Sequence, residues 1–199
     1  MKYLIILTVA AIAFQSTLAT KGIDAIDSIS TNNFKCLQKE GYSFFVGRLW
    51  TSLGHPDLTG MKNIKNAHAA GISNVDAYFF PCLRSSCGSA ASQIEKAVNK
   101  MNEEGVSIGT LWLDVERLAW PASHTSNRQF IKDMVKKAKA IVGATWSELS
   151  YLPLWWADYN GHDNFSGFKT FGGWTKPKMH QYAGNVKTSC GINVDVSWY

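Results

Sequence analysis

The segment Gly109-Thr-Leu-Trp-Leu-Asp-Val-Glu116 closes an apolar run with two acids. Side chains alternate faces along a strand, so Asp114 and Glu116 project from one side, roughly 6–7 Å apart. Each charge raises the other's pKa, and partial burial raises both, so one carboxyl can stay protonated near neutral pH. A proton donor beside an ionised carboxylate is what cleavage of a glycosidic bond requires. The structural alternative has the two acids capping the helix that begins near Ser126. It is the weaker reading, because Ser126 and Gln129 already form a Ser-x-x-Gln start signal. A calcium site is disfavoured because the loop lacks the dense oxygen spacing of calcium motifs.

Two further acids strengthen the pair. Asp24 ends the first expected strand and Asp195 sits in the last. In a closed sheet the first and last strands are neighbours, so these acids can converge on Asp114 and Glu116. The structural alternative for each is turn capping, the weaker reading even when each is taken singly. Aromatic residues gather at the same rim: Tyr78, Phe79, Trp155, Trp156, Tyr159, Tyr182 and Trp198. Alternation admits only some of them to a cleft, and Tyr78, Trp156, Tyr159 and Tyr182 are the candidates for its wall. Sugar rings stack their apolar C–H faces on such side chains, while acids and amides bind the hydroxyls. Arg48, at the end of the second strand, either contacts the substrate or pairs with one of the acids.

Alternating strands and helices must position these groups. Strands are expected at Gly22 to Asp27, Tyr42 to Leu49, Asn74 to Phe80, Val106 to Glu116, Leu152 to Ala157, Met179 to Ala183 and Val194 to Trp198. Helices are expected at Phe34 to Glu40, Thr59 to Ala70 and Ser89 to Glu104, followed by one that buries Ile131, Met134, Val135 and Ala138. This order points to a parallel sheet with right-handed crossovers, either open and doubly wound or closed as a β/α barrel. No Gly-x-Gly-x-x-Gly turn follows the first strand, which disfavours dinucleotide binding. The expected fold is a single-domain, irregular, TIM-like α/β barrel of about seven strands.

The chain has 199 residues, 46% apolar and 18% charged, which excludes a disordered protein. Residues 1–19 carry an early Lys2, an apolar stretch too short to span a bilayer, and small residues ending at Ala19. This is the layout of a secretory signal peptide, so the expectation is a domain over residues 20–199 that is secreted or held in a lysosome-like vesicle, without a membrane anchor and monomeric. The formal net charge of +5 steers the protein toward anionic surfaces, but its cations are scattered and leave no nucleic-acid footprint. Secretion permits disulfides among Cys36, Cys82, Cys87 and Cys190, for which three pairings exist. Cys82 and Cys87 enclose a short loop, and a bridge there leaves Cys36 with Cys190. The five histidines form no cluster and the cysteines lack zinc spacing, so no metal or other cofactor is expected.

In order along the chain, Gly22-Ile-Asp24, Leu113-Asp-Val-Glu116, Leu154-Trp-Trp-Ala-Asp-Tyr159, His180-Gln-Tyr182 and Val194-Asp195 resemble the strand motifs of glycoside hydrolase family 25, the CH-type lysozymes. The resemblance runs through nearly all of residues 22–199. It implies muramidase activity, the hydrolysis of the β-1,4 bond between N-acetylmuramic acid and N-acetylglucosamine in bacterial peptidoglycan. It implies Glu116 as the acid that protonates the leaving oxygen. Asp114 then assists, orienting the substrate's N-acetyl group or tuning Glu116, with Asp24 and Asp195 as supporting acids. The sequence departs from the family after Ala140, where Lys139 to Pro153 passes almost directly to the next strand, so the fifth strand–helix unit is missing. Two rival readings are a carbohydrate-binding protein that has lost turnover and a chitinase-like hydrolase.

Overall fold

The computed structural model describes residues 20–115, 120–142, 152–171 and 173–199. The expected signal segment, Glu116 and the stretch following Val142 lie outside the described residues. Seven strands alternate with four helices: β1 (Lys21–Ala25), α1 (Thr31–Lys39), β2 (Tyr42–Trp50), α2 (Leu58–Ala69), β3 (Asn74–Phe79), α3 (Ala90–Glu103), β4 (Leu111–Leu113), α4 (His124–Val142), β5 (Trp155–Ala157), β6 (Met179–Lys187) and β7 (Asn193–Trp198). They form one sheet in the order β4-β3-β2-β1-β7-β6-β5. This is the expected α/β barrel, nearly closed, with seven strands among the described residues.

The sheet is mixed, where alternation of elements predicts a parallel one. β1 to β4 run parallel, as do β5 and β6, but β7 is antiparallel to both β1 and β6. The reason is local: β6 and β7 are joined by a short turn at Ser189–Gly191 with no helix between them, and such a connection reverses the chain. Two further boundaries differ. β4 is confined to Leu111–Leu113, because the chain before it is held by Asp76, which accepts the Thr110 amide at 2.8 Å. α4 starts at His124, and Ser123 rather than Ser126 supplies the early turn, with Asn127 N–H donating to the Ser123 carbonyl at 3.0 Å. Gln129 pairs with Asp133 instead of closing a capping box.

The outer face of the sheet buries Ile23, Phe45, Leu49, Val75, Ala77 and Val196 against Phe34, Leu37, Met61, Ile64 and Ala67 of α1 and α2. A second cluster seats Trp50 and Phe79 against Ile94, Ala97 and Met134 of α3 and α4. Ser30 caps α1 and Asp57 caps α2, each through a side-chain oxygen that accepts a free amide of the first turn. The inner face is closed at one end by Phe44, Val46 and Met179, with Tyr78, Trp112, Trp155 and the final residue Tyr199 packed on them. Gly22 makes room there, since a Cβ would lie 2.3 Å from the Phe44 ring.

β4 and β5 do not pair, and aromatic rings fill the space between these two sheet edges. Trp112 of β4 meets Trp155 of β5 edge to face at 5.9 Å. Trp112 is fixed by its Nε1–H donating to Asp76 at 2.9 Å, and Trp155 by donating to Ser197 Oγ at 3.1 Å. Both disulfides are formed as Cys36–Cys190 and Cys82–Cys87, with Cα separations of 5.9 and 6.0 Å. The first ties α1 to the β6–β7 turn. The second forms a loop whose Arg84 donates to the Leu53 carbonyl at 2.8 Å, bracing the turn after β2.

Candidate active site

Parallel strands present their carboxyl ends on one side of a sheet, and there the inner face changes from apolar to polar. Asp24 and Asp195 are direct cross-strand partners in the β1–β7 ladder, so their side chains share the inner face. Tyr78 lies beside Arg48 on the same face, and Trp112 beside Tyr78. Asp114 follows two residues after Trp112, its N–H donating to the Phe79 carbonyl at 3.0 Å. Its charge acts on Asp24, Tyr78 and Tyr159 alike, which places it at the same cleft.

Gln181 joins the acids. Its side-chain amide donates to Asp24 Oδ1 at 2.7 Å and reaches Asp195 Oδ2 at 3.5 Å, while the Tyr159 hydroxyl lies 3.2 Å from Gln181 Oε1 and 3.4 Å from Asp195 Oδ2. The Asn185 backbone N–H donates to Asp195 Oδ1 at 2.7 Å. That amide is available because β6 is irregular: Ala183 opposes Val196 and Val186 opposes Val194, which sets Gly184 and Asn185 together against Asp195. Asn185 takes a left-handed φ of 56°, and a Cβ on Gly184 would press on the Tyr159 ring at 3.2 Å and Asp195 Oδ1 at 3.3 Å.

The electrostatics are uneven. Asp24 is only 7% exposed, and burial drives its carboxyl well above the ordinary aspartate range. The Asp195 charge adds to this, the Gln181 hydrogen bond opposes it, and Asp114 raises it further. Burial and then Asp24 push the Tyr78 hydroxyl up strongly. Tyr159 exposes its ring to solvent but turns its hydroxyl inward, where burial and then Asp195 raise it to about 12. A buried carboxyl held above its usual range, nearby acids and an aromatic wall thus share one cleft.

Not every residue proposed for the cleft reaches it. Trp156 lies on the outer face, stacked on His180 at 4.1 Å and covered by Phe168. Tyr182 sits at the first irregularity of β6 and packs against the outer core. Phe79 and Trp198 also face outward, against Trp50 and Phe165. The correction has one cause: side chains alternate, and Trp155 and Gln181 are the members of these motifs that point inward. Among the described residues, Arg48 forms its ion pair with Asp57, away from Asp24 and Asp195. Its Nε lies 2.6 Å from Asp57 Oδ2, linking the end of β2 to the N-cap of α2. Gln181 and the Asn185 amide escaped the sequence reading. The Gly184-Asn185 dipeptide inside a strand pattern was the available signal of a bulge.

Among the described residues, the one close grouping of metal-ligand types is Cys36, Glu40 and Cys190, and its two sulfurs are already joined. No described helix is long and apolar enough to cross a membrane.

A family model described as Lysozyme-like protein 1 matches residues 15–142 and 139–182. The chain is 43% identical over 196 residues to Lysozyme-like protein 5 of Caenorhabditis elegans, covering 90% of this chain and 91% of that one. It is 34% identical over 196 residues to Probable GH family 25 lysozyme 2 of Dictyostelium discoideum, covering 91% of each. The chain belongs to glycoside hydrolase family 25, the lysozymes. The fold agrees: a family GH25 lysozyme from Aspergillus fumigatus superposes with a TM-score of 0.67 at 17% identity, over 91% of this chain and 93% of that one. In this lysozyme family member, the shared cleft of Asp24, Asp114 and Asp195 occupies the carboxyl end of the barrel, where such folds keep their chemistry.

Proposed function

We propose that this family 25 lysozyme is a secreted muramidase that hydrolyses the β-1,4 bond between N-acetylmuramic acid and N-acetylglucosamine in bacterial peptidoglycan. Glu116 is its proton donor. The observation that carries the reading is the convergence of Asp24, Asp114 and Asp195, from distant parts of the chain, on one aromatic-walled cleft. Glu116 stands two residues beyond Asp114 in sequence.

In this reading the cleft binds the glycan along Tyr78 and Tyr159, whose rings take the apolar sugar faces. The Glu116 carboxyl gives its proton to the glycosidic oxygen as the bond from that oxygen to the anomeric carbon breaks. Nearby carboxylates stabilise the positive charge that develops on the sugar ring, and water completes the hydrolysis. Residues 1–19 act as the leader, so the secreted protein begins at Thr20, which N-terminal sequencing reads directly. The protein then meets bacteria outside the cell, in digestion or defence.

Turbidity loss of purified cell walls tests the activity. Glu116→Gln keeps the side-chain shape but cannot deliver the proton, so the clearing rate falls on the order of a hundredfold or more. Equal clearing by both proteins ends the assignment of Glu116. Wall binding without clearing by either protein returns the binding-only reading, and cleavage of chitin oligomers alone returns the chitinase-like one.

A further inference from the structure

Of the groups in the cleft, Gln181 is the one whose chemistry the muramidase reading leaves unused. It is 9% exposed and sits between two carboxyl groups that face each other across the β1–β7 ladder. A side-chain amide has one acceptor oxygen and two N–H donors. Here the oxygen takes the Tyr159 hydroxyl and the nitrogen faces both Asp24 and Asp195, so each end has a partner. Asp195 is further served at its other oxygen by the Asn185 amide.

We propose that Gln181 is a positioning residue that holds Asp24 and Asp195 as one unit, its side-chain amide facing both carboxyls. The two partners are held unequally: Asp195 accepts the Asn185 amide at one oxygen and faces the Gln181 amide at the other, whereas the buried Asp24 takes the Gln181 amide at 2.7 Å. The bulge at Gly184–Asn185 is the backbone device that makes the pair unequal. Were both carboxyls charged, the like charges would repel across adjacent strands. A donor bridging both keeps them close without a second proton.

The groups facing Asp24 are Asp195 from β7, Asp114 after β4, Tyr78 from β3 and Tyr159 after β5, with Arg48 of β2 engaged by Asp57. The activity arm of the test rests on the muramidase reading, and the titration arm does not.

Three variants separate positioning from mere packing. Gln181→Met keeps the volume and removes both donors. The expected result is a wall-clearing rate roughly tenfold or more lower across the pH range. In carbon-13 spectra of the carboxyl groups, with the Asp24 signal identified by its loss in Asp24→Asn, Asp24 titrates at higher pH than in the wild type. Gln181→Glu places a third carboxyl in the cleft. It loses activity at neutral pH and recovers toward acid pH, where a protonated Glu again supplies a donor. Tyr159→Phe removes the hydroxyl that orients the amide and shifts both readouts in the same direction by less.

A Gln181→Glu protein with the wild-type pH profile overturns the proposal, as does an unmoved Asp24 titration in Gln181→Met. Should the Met variant not fold, the acid recovery of the Glu variant decides. If the wild type fails to clear walls while the Asp24 titration moves as stated, the muramidase reading falls and this one stands. If Glu116→Gln abolishes clearing while the Gln181 variants change neither readout, this inference falls alone.

Discussion

The two ends of the barrel interior are built from the same strands and the same inward-facing positions, yet they do opposite things. At one end Phe44, Val46, Met179 and Tyr199 close the floor. Next to this floor on the inner face stand Asp24, Tyr78, Gln181 and Asp195. Asp24 lies directly beside Val46 in the β1–β2 ladder. The difference shows how a carboxyl's pKa is raised without a special residue type. An apolar plug below it excludes water and an acid opposite it discourages a second charge, while the Gln181 amide works the other way.

The largest expected effect comes from breaking the floor. Phe44 is 3% exposed, and Phe44→Ala should cost about 3–5 kcal/mol in urea or guanidinium unfolding. A cost under about 1 kcal/mol would mean the floor is not packed as a core. At the other end, Arg48→Met leaves the Asp57 carboxylate buried without its cation, although Asp57 still caps α2 through the Gly60 amide at 2.9 Å. About 2 kcal/mol is expected, since an unpaired buried charge is costly but one hydrogen bond survives. Denaturation midpoints of Arg48→Met alone and combined with Asp57→Asn measure it, and the double variant should recover part of the loss.

A smaller effect tests the electrostatics. Because the Asp24 carboxyl is raised in the folded state, its contribution is fully present below the ordinary aspartate pKa and is lost as pH rises through the folded value. Asp24→Asn has no charge to lose. Its melting temperature should therefore match the wild type near pH 4 and exceed it increasingly toward pH 8. Parallel curves for the two proteins would refute the raised carboxyl. The smallest effect is expected at Trp156, which stacks on His180 outside the cleft. Trp156→Phe should leave the KM for cell walls within about twofold of the wild type, because each lost contact in a binding site shifts affinity by more than that. A larger rise would bring Trp156 back to the cleft wall.

Much of this protein is legible in its order of residues. Alternating apolar strands and amphipathic helices dictate an α/β barrel, because strand and helix periods are local properties of the chain. The short Cys82–Cys87 loop points to the pairing that is found. The five spaced motifs name the family. Sequence could also say that acids from the first, fourth and last strands were candidates for one site. What it could not decide was parity. Whether Trp155 or Trp156, Gln181 or Tyr182, faces the cleft depends on strand register, and register is set by pairing with strands far away in the chain. The irregularities of β6 move that register twice within one strand. Only the folded sheet brings Asp24 opposite Asp195 across 171 residues, gives Arg48 to Asp57, and turns the Asn185 amide onto a carboxylate. Those contacts belong to no local segment, which is why tertiary structure alone could fix them.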